Sequence, residues 1–170
     1  MLNKKGLTLI ELMAVIGIVA ILLGIAAVSG RAWMDRYNVE TLIKDMHANL
    51  LNAKVSAMNR SRMYFVVLTP TQYTIYEDTD TAPNGDEALN AALDTLVSRT
   101  NINTRYSMTN DAAQITFGRD GLATTAPPMG TQANFRVTAL FGASLDCIAL
   151  SASRVRMGVW NAGTGTCDAQ

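Results

Sequence analysis

Two patterns of apolar residues divide this chain. Residues 12–28 are apolar almost without interruption, and beyond Ser29 and Gly30 the apolar positions thin to Val39, Leu42, Ile43, Met46, Leu50, Leu51, Val55 and Met58. Intervals of three, four and seven put these on one helical face, with Asp35, Arg36, Glu40, Lys44, Asp45, Asn49 and Asn52 on the opposite, solvated or inter-subunit side. One helix over residues 7–59 is predicted, apolar all round in its first half and amphipathic in its second. At 1.5 Å per residue it would be about 75 Å long, against roughly 30 Å for the hydrocarbon core of a bilayer.

From Arg62 onward the period shifts to two and the composition to β-formers. Strands are predicted at 63–69 and 72–76, joined as a hairpin through Thr69, Pro70 and Thr71, and further strands at 104–108, 114–117, 134–139, 147–151 and 155–160. Turns fall at Gly118, Arg119, Asp120 and Gly121, and again across residues 126–130. Residues 77–87 form an acidic, turn-rich loop, and residues 88–97 are either a short helix or a loop crossing the sheet. The fold class is α+β, with a long N-terminal α-helix packed on a C-terminal antiparallel β domain.

Charge gives the apolar run a direction. Lys4 and Lys5 precede it, the pattern of a targeting segment whose cationic head stays on the cytoplasmic side. The run is too long for an ordinary cleaved secretory signal, so it is expected to be retained. Glu11 stands at its edge, where a carboxylate costs about 2.5–3.5 kcal/mol if carried to the bilayer centre and therefore calls for a partner. About 140 residues follow the apolar run, enough for one modest domain. Lysine and arginine number 14 and aspartate and glutamate 14; without Lys4 and Lys5 the formal charge is −2, so no global basic signal for nucleic acid is present. Cys147 and Cys167 are the two cysteines. In an exported domain such a pair reads as one disulfide, closing a loop worth about 3 kcal/mol in the chain-entropy model.

Little in the chain suggests catalysis. The one histidine, His47, lies on the predicted helix and reads as a surface or packing residue, and two cysteines with one histidine cannot furnish a tetrahedral metal site without breaking the disulfide. Asp78, Asp80, Asn84, Asp86 and Glu87 offer oxygen ligands, but Pro83 and the position of Gly85 break the calcium-loop spacing, leaving a solvated loop. No glycine-rich phosphate loop occurs. The reading is of a non-enzyme with no cofactor and no metal. Arg154 and Arg156 occupy alternate positions of a predicted strand, which places two guanidiniums about 7 Å apart on one face, near the spacing of successive phosphates. They can contact DNA, a neighbouring subunit or solvent. Arg119 and Arg136 are the other cations of the β region considered beside them.

Residues 1–6 (MLNKKG) followed by Leu7, Thr8, Leu9, Ile10 and Glu11 resemble the leader and cleavage site of type IV prepilins. The resemblance implies cutting after Gly6 by prepilin peptidase, N-methylation of the new terminus at Leu7, and a role for Glu11 in assembly, where the Leu7 amine of an adjacent subunit offsets its charge. It also divides the chain into a leader (1–6), a transmembrane and filament-core helix (7–29), the amphipathic half of that helix (30–59) and a periplasmic globular domain (60–170). Ile115, Thr116 and Phe117 before a Gly-Arg turn, the late cysteine, and residues 149–156 (ALSASRVR) are similar to the family uniting the H-type minor pseudopilins of type II secretion (GspH) with the FimT and FimU minor type IV pilins. There the closing motif is commonly Gly-Arg-x-Arg, and here Ser153 replaces the glycine; many pilins also carry a proline where this chain has Val28. The resemblance implies a minor pilin built into or initiating a pilus, with an H-type pseudopilin and a DNA-capturing minor pilin of natural transformation as alternatives. Its implied partners are other pilin or pseudopilin subunits, prepilin peptidase, the inner membrane and, for the last alternative, DNA.

Overall fold

The computed structural model describes residues 8–80, 85–128, 132–139 and 141–169, with side chains throughout except at 25–29. Helix α1 (Leu9–Arg60) runs 52 residues, about 78 Å at the usual rise. Thr8 opens it, its hydroxyl accepting the Glu11 backbone N–H at 3.3 Å. Thr8 and Glu11 are spaced as in a capping box, a start signal that the apolar run obscures in the sequence. Ser61 closes the helix in the left-handed region, returning its N–H to the Ala57 carbonyl.

Ten strands follow: β1 (Tyr64–Thr69), β2 (Gln72–Glu77), β3 (Thr95–Asn101), β4 (Met108–Asn110), β5 (Gln114–Phe117), β6 (Ala123–Ala126), β7 (Ala133–Val137), β8 (Cys147–Leu150), β9 (Val155–Asn161) and β10 (Thr166–Ala169). They make two five-stranded antiparallel sheets, ordered β3-β2-β1-β5-β6 and β10-β9-β8-β7-β4. Inner faces of both sheets close on the second half of α1. Val39, Ile43, Met46, Leu50, Ala53 and Ala57 meet Tyr64, Val66, Ile115 and Phe117 from the first sheet and Phe135, Ile148 and Leu150 from the second in one buried core. The helix end is bolted to the first hairpin by Glu77, whose Oε2 accepts from Arg60 at 2.7 Å and from the buried Tyr64 hydroxyl at 3.0 Å, with Arg62 at 3.6 Å from Oε1.

Several sequence expectations need correction. Leu51 and Val55 face outward rather than into the core, and Met58, also exposed, lays its thioether against Gly121; the row that begins Val39, Ile43, Met46, Leu50 continues through Ala53 and Ala57, whose small side chains let the sheets come close. Residues 104–108 are not a strand: Asn103 caps a single 3-10 turn over Thr104–Tyr106, and β4 starts only at Met108. Residues 88–97 form turns pinned by Asp94, whose carboxylate accepts the N–H groups of Thr79 and Asn90, before β3 begins at Thr95. The acidic loop is not simply solvated, since Glu77 and Asp78 are buried. Strands β3, β6 and β10 have no counterpart in the period-two reading. They are sheet-edge strands, and an edge strand need not alternate cleanly.

Candidate functional site

The first half of α1 stands apart from the domain. Eleven large apolar side chains between Leu9 and Leu23 are exposed, at 47–77%. Burying each would contribute about 1.5–3 kcal/mol, roughly 17–33 kcal/mol together, against a typical net stability of about 5–15 kcal/mol for a whole domain. A surface of that size is not one a monomer keeps in water. Glu11 lies among these residues, exposed, and its carboxylate has no hydrogen bond or ion pair among the described residues. Among the described residues no helix is long and apolar enough to cross a membrane; the side chains of 25–29 are outside that description. Lys4, Lys5, Gly6 and Leu7 also lie outside the described residues.

Several of the helix's polar residues are occupied by the protein's own globular domain. Asp35 takes a two-pronged contact from Arg105, with Nε at 2.9 Å and Nη2 at 2.6 Å, and a third bond from the Tyr106 hydroxyl at 2.9 Å. Arg36 donates to the Phe141 carbonyl, Glu40 accepts the Ser144 N–H at 3.0 Å, and Asn49 donates to the Tyr73 hydroxyl at 2.7 Å. The Arg105 guanidinium beside Asp35 holds that carboxyl below the usual range, with Tyr106 adding to the effect. The Ser144 N–H does the same for Glu40, helped by Lys44. Residues that read as solvated or inter-subunit are thus intramolecular clamps, apart from Lys44, Asp45 and Asn52, which stay exposed.

At the other end of the fold, Arg154 and Arg156 are both exposed with Val155 buried between them. Arg154 precedes β9 rather than lying within it, and its carbonyl accepts the Ser151 N–H in the turn from β8. Lys54 reaches this turn from the helix and donates to the Ser153 carbonyl, while His47 Nε2 meets the Val155 carbonyl at 3.2 Å. His47 is therefore a packing residue. Arg136 lies over the Trp160 ring at 4.5 Å, and Arg119 pairs with Glu87 at 3.1 Å.

Cys147 and Cys167 form a disulfide with Cα atoms 5.9 Å apart. With Ala149, and with Trp160 and Ala169 packed against them, they make a small second core on the outer face of the second sheet. Gly158 makes this possible: a Cβ there would lie 2.2 Å from the Asp168 carbonyl oxygen and 2.8 Å from Ala169 Cα, so β10 passes directly over it. A glycine inside a strand is the sequence signal for such an approach, and the period-two reading passes over it.

Asp78, Asp80 and Asp86 bring carboxylate oxygens within 4.8 Å of one another. The loop's backbone occupies Asp78: Oδ1 accepts the Asp86 N–H and Oδ2 the Glu87 N–H. Gly85, at φ +89°, packs so tightly on this carboxylate that a Cβ would overlap it. Burial pushes the Asp78 carboxyl up, partly countered by the two N–H donors.

Three comparisons bear on this arrangement. Residues 1–27 match the prokaryotic N-terminal methylation motif. No curated protein sequence matches the chain significantly. Among solved structures the chain is similar to the type IV minor pilin FimU of Pseudomonas aeruginosa, at TM-score 0.51 and 13% identity over 75% of this chain and 92% of that one. A second crystal form of FimU gives TM-score 0.47 and 15% identity over 71% and 92%. A methylation motif thus leads into a fold similar to that of FimU, a long N-terminal helix followed by antiparallel sheets.

Proposed function

We propose that this chain is a minor type IV pilin, a structural subunit rather than an enzyme, which is stored in the inner membrane through residues 7–29 and passes from there into a pilus. The observation that carries the reading is the exposed apolar half of α1, continuous with a half held by a folded domain and led by a methylation motif. In this reading Lys4 and Lys5 keep the leader inside, prepilin peptidase cuts after Gly6, Leu7 becomes the methylated terminus, and the domain of residues 60–170 sits in the periplasm. Glu11 then lies fifth in the mature chain. Its backbone N–H is held by Thr8 and its carboxylate is left for another subunit; an anion in a packed helical core is tolerated when a cation adjoins it, and the Leu7 amine of a neighbour is that cation.

The test compares wild type with Glu11→Ala in a host that carries the other filament subunits. Wild type should lose the mass of six residues and co-purify with sheared fibres. Glu11→Ala should be processed, remain in the membrane at normal abundance, and be missing from the fibres. A wild-type protein absent from fibres would refute the pilin reading, and a variant incorporated as well as wild type would refute the pairing of Glu11 with the terminal amine. The identity of the co-purifying subunits separates a pilus from a type II secretion pseudopilus, where the chain would serve as an H-type pseudopilin. A DNA-capturing minor pilin is the second reading, favoured by the arrival of Lys54 beside the exposed Arg154 and Arg156. A mobility shift that weakens with salt and is lost in Arg154→Ala/Arg156→Ala would support it.

A further inference from the structure

We infer that Trp33, Tyr37 and Arg31 form an interfacial anchor that seats α1 in the phospholipid headgroup layer of the leaflet facing the globular domain, before the subunit enters a fibre. The inference rests on the membrane-stored state proposed above. Residues 7–28 number 22, about 33 Å of helix at 1.5 Å per residue, close to the roughly 30 Å hydrocarbon core. Arg31 and Trp33 follow Val28 by three and five residues, about 4.5 and 7.5 Å further along the axis, which is the depth of the headgroups. Tyr37 lies one turn beyond, but helical side chains lean toward the N-terminus, and its ring stacks on Trp33 with centroids 5.9 Å apart and planes 16° apart.

The side chains have the chemistry this layer selects. Trp33 is 67% exposed, Tyr37 57% and the adjoining Met34 56%. Neither the indole N–H nor the phenol hydroxyl hydrogen-bonds within the described residues, and Arg31 makes no ion pair within 4 Å there, its charge acting only at longer range on Asp35 one turn on. Tryptophan and tyrosine collect at membrane interfaces because an apolar ring can lie among acyl chains while its polar tip stays wet, and a guanidinium at that level meets phosphate. Charge nearby is compatible: Asp35, the closest acid, is already neutralised by Arg105. Beside Trp33 and Met34 an open groove of ≈ 660 Å³ reaches Arg105 and Tyr106, space for a headgroup between helix and domain.

The test uses the full chain carrying Trp160→Phe, so that Trp33 alone fluoresces, reconstituted into phosphatidylcholine–phosphatidylglycerol vesicles whose lipids are brominated either near the headgroup or near the chain end. Protease protection of the apolar segment reports insertion separately. The expected result is an inserted protein whose Trp33 emission shifts to shorter wavelength and is quenched more strongly by the shallow bromines. Insertion with a water-like, unquenched Trp33 would overturn the anchor and leave the membrane reading standing; lack of insertion would overturn the membrane reading itself. Emission that shifts only when other filament subunits are added would overturn the anchor in favour of a subunit contact. Should Trp160→Phe unfold the domain, 5-fluorotryptophan in the unsubstituted chain gives two resonances, and paramagnetic headgroup lipids should broaden the Trp33 one, an unbroadened signal counting against the anchor.

Discussion

Gly158→Ala should unfasten the C-terminal strand. The new methyl would stand 2.2 Å from the Asp168 carbonyl oxygen, 2.7 Å from its carbon and 2.8 Å from Ala169 Cα. All three are backbone atoms, so no side chain can swing aside. Restoring an ordinary contact of 3.4 Å to the oxygen requires β10 to lift by about 1.2 Å, and a shift of that size carries an N–H···O bond of 2.9 Å beyond hydrogen-bonding range. The ladder at stake pairs Thr166, Cys167, Asp168 and Ala169 with Asn161, Trp160, Val159 and Gly158. Because Cys167 belongs to it, the disulfide resists the movement and the strain spreads into Cys147, Ala149 and Trp160. Overpacking of this kind costs about 1–3 kcal/mol, and at roughly 2–4 °C per kcal/mol the unfolding midpoint should fall by about 2–12 °C. The assay is thermal unfolding of the oxidised protein, with alkylation counting free thiols. Gly163→Ala, where the nearest atom is a side-chain oxygen at 3.3 Å, serves as the control and should stay within about 0.5 kcal/mol of wild type. A Gly158→Ala protein with an unchanged midpoint and no free thiol would refute the close crossing.

Two further outcomes follow from the domain's fastenings. Cys147→Ser with Cys167→Ser removes a cross-link spanning 20 residues, which should lower stability by about 3 kcal/mol and the midpoint by roughly 6–12 °C; differential scanning calorimetry of the two forms measures it, and equal midpoints would show that the small outer core holds without the bond. Asp35 and Glu40 have carboxyls lowered in the folded state, so their stabilisation is present above the ordinary carboxylate pKa of about 4 and is lost as pH falls through the folded value. The midpoint difference between wild type and Asp35→Asn should therefore be clear at neutral pH and close on acidification, whereas a difference independent of pH would mean that shape, not charge, holds Arg105. Asp78, whose carboxyl is raised, works in the opposite sense but is common to both proteins and cancels in that difference.

What could be read from the residues was whatever repeats along an element. The long helix, the hairpin of β1 and β2, and the strands β5, β7, β8 and β9 follow from periods of three to four and of two, because burial on one face imposes those periods. Leu51, Val55 and Met58 defeated the reading because an apolar residue on a helix counts equally toward either face, and alanines at 53 and 57 carry too little hydrophobicity to mark the buried one. Asp35, Arg36, Glu40 and Asn49 looked like a solvated face because their partners, Arg105, Phe141, Ser144 and Tyr73, lie 24 to 105 residues away in the chain. No local pattern records a contact of that range. The disulfide was legible as two cysteines in a chain expected to be exported, but its setting under Trp160 and over Gly158 depends on how β10 curls across a sheet face. The gathering of Asp78, Asp80 and Asp86 was equally hidden, since loop residues carry no period.

These placements decide which part of the helix is left for other molecules. Trp33 and Leu51 are 18 residues apart, and so are Tyr37 and Val55; 18 residues make five turns of an α-helix, so both pairs lie on one line. Met58 extends that line, and Glu40 and Lys44, 3.7 Å apart in an i,i+4 pair, sit midway along it. The line faces away from the buried row of Val39, Ile43, Met46, Leu50, Ala53 and Ala57, because position 51 is rotated by about 100° from 50 and position 55 by about 160° from 53. With its inner face in the core and its flanks tied to loops, the second half of the helix offers neighbours mainly this outward line of apolar side chains interrupted by one ion pair. For the assembly proposed above, contact surface therefore does not end with the apolar run. It continues down the exposed side of the domain, and in that assembly the Glu11 carboxylate, at the top of the helix, is a charge left for a neighbouring subunit to pair.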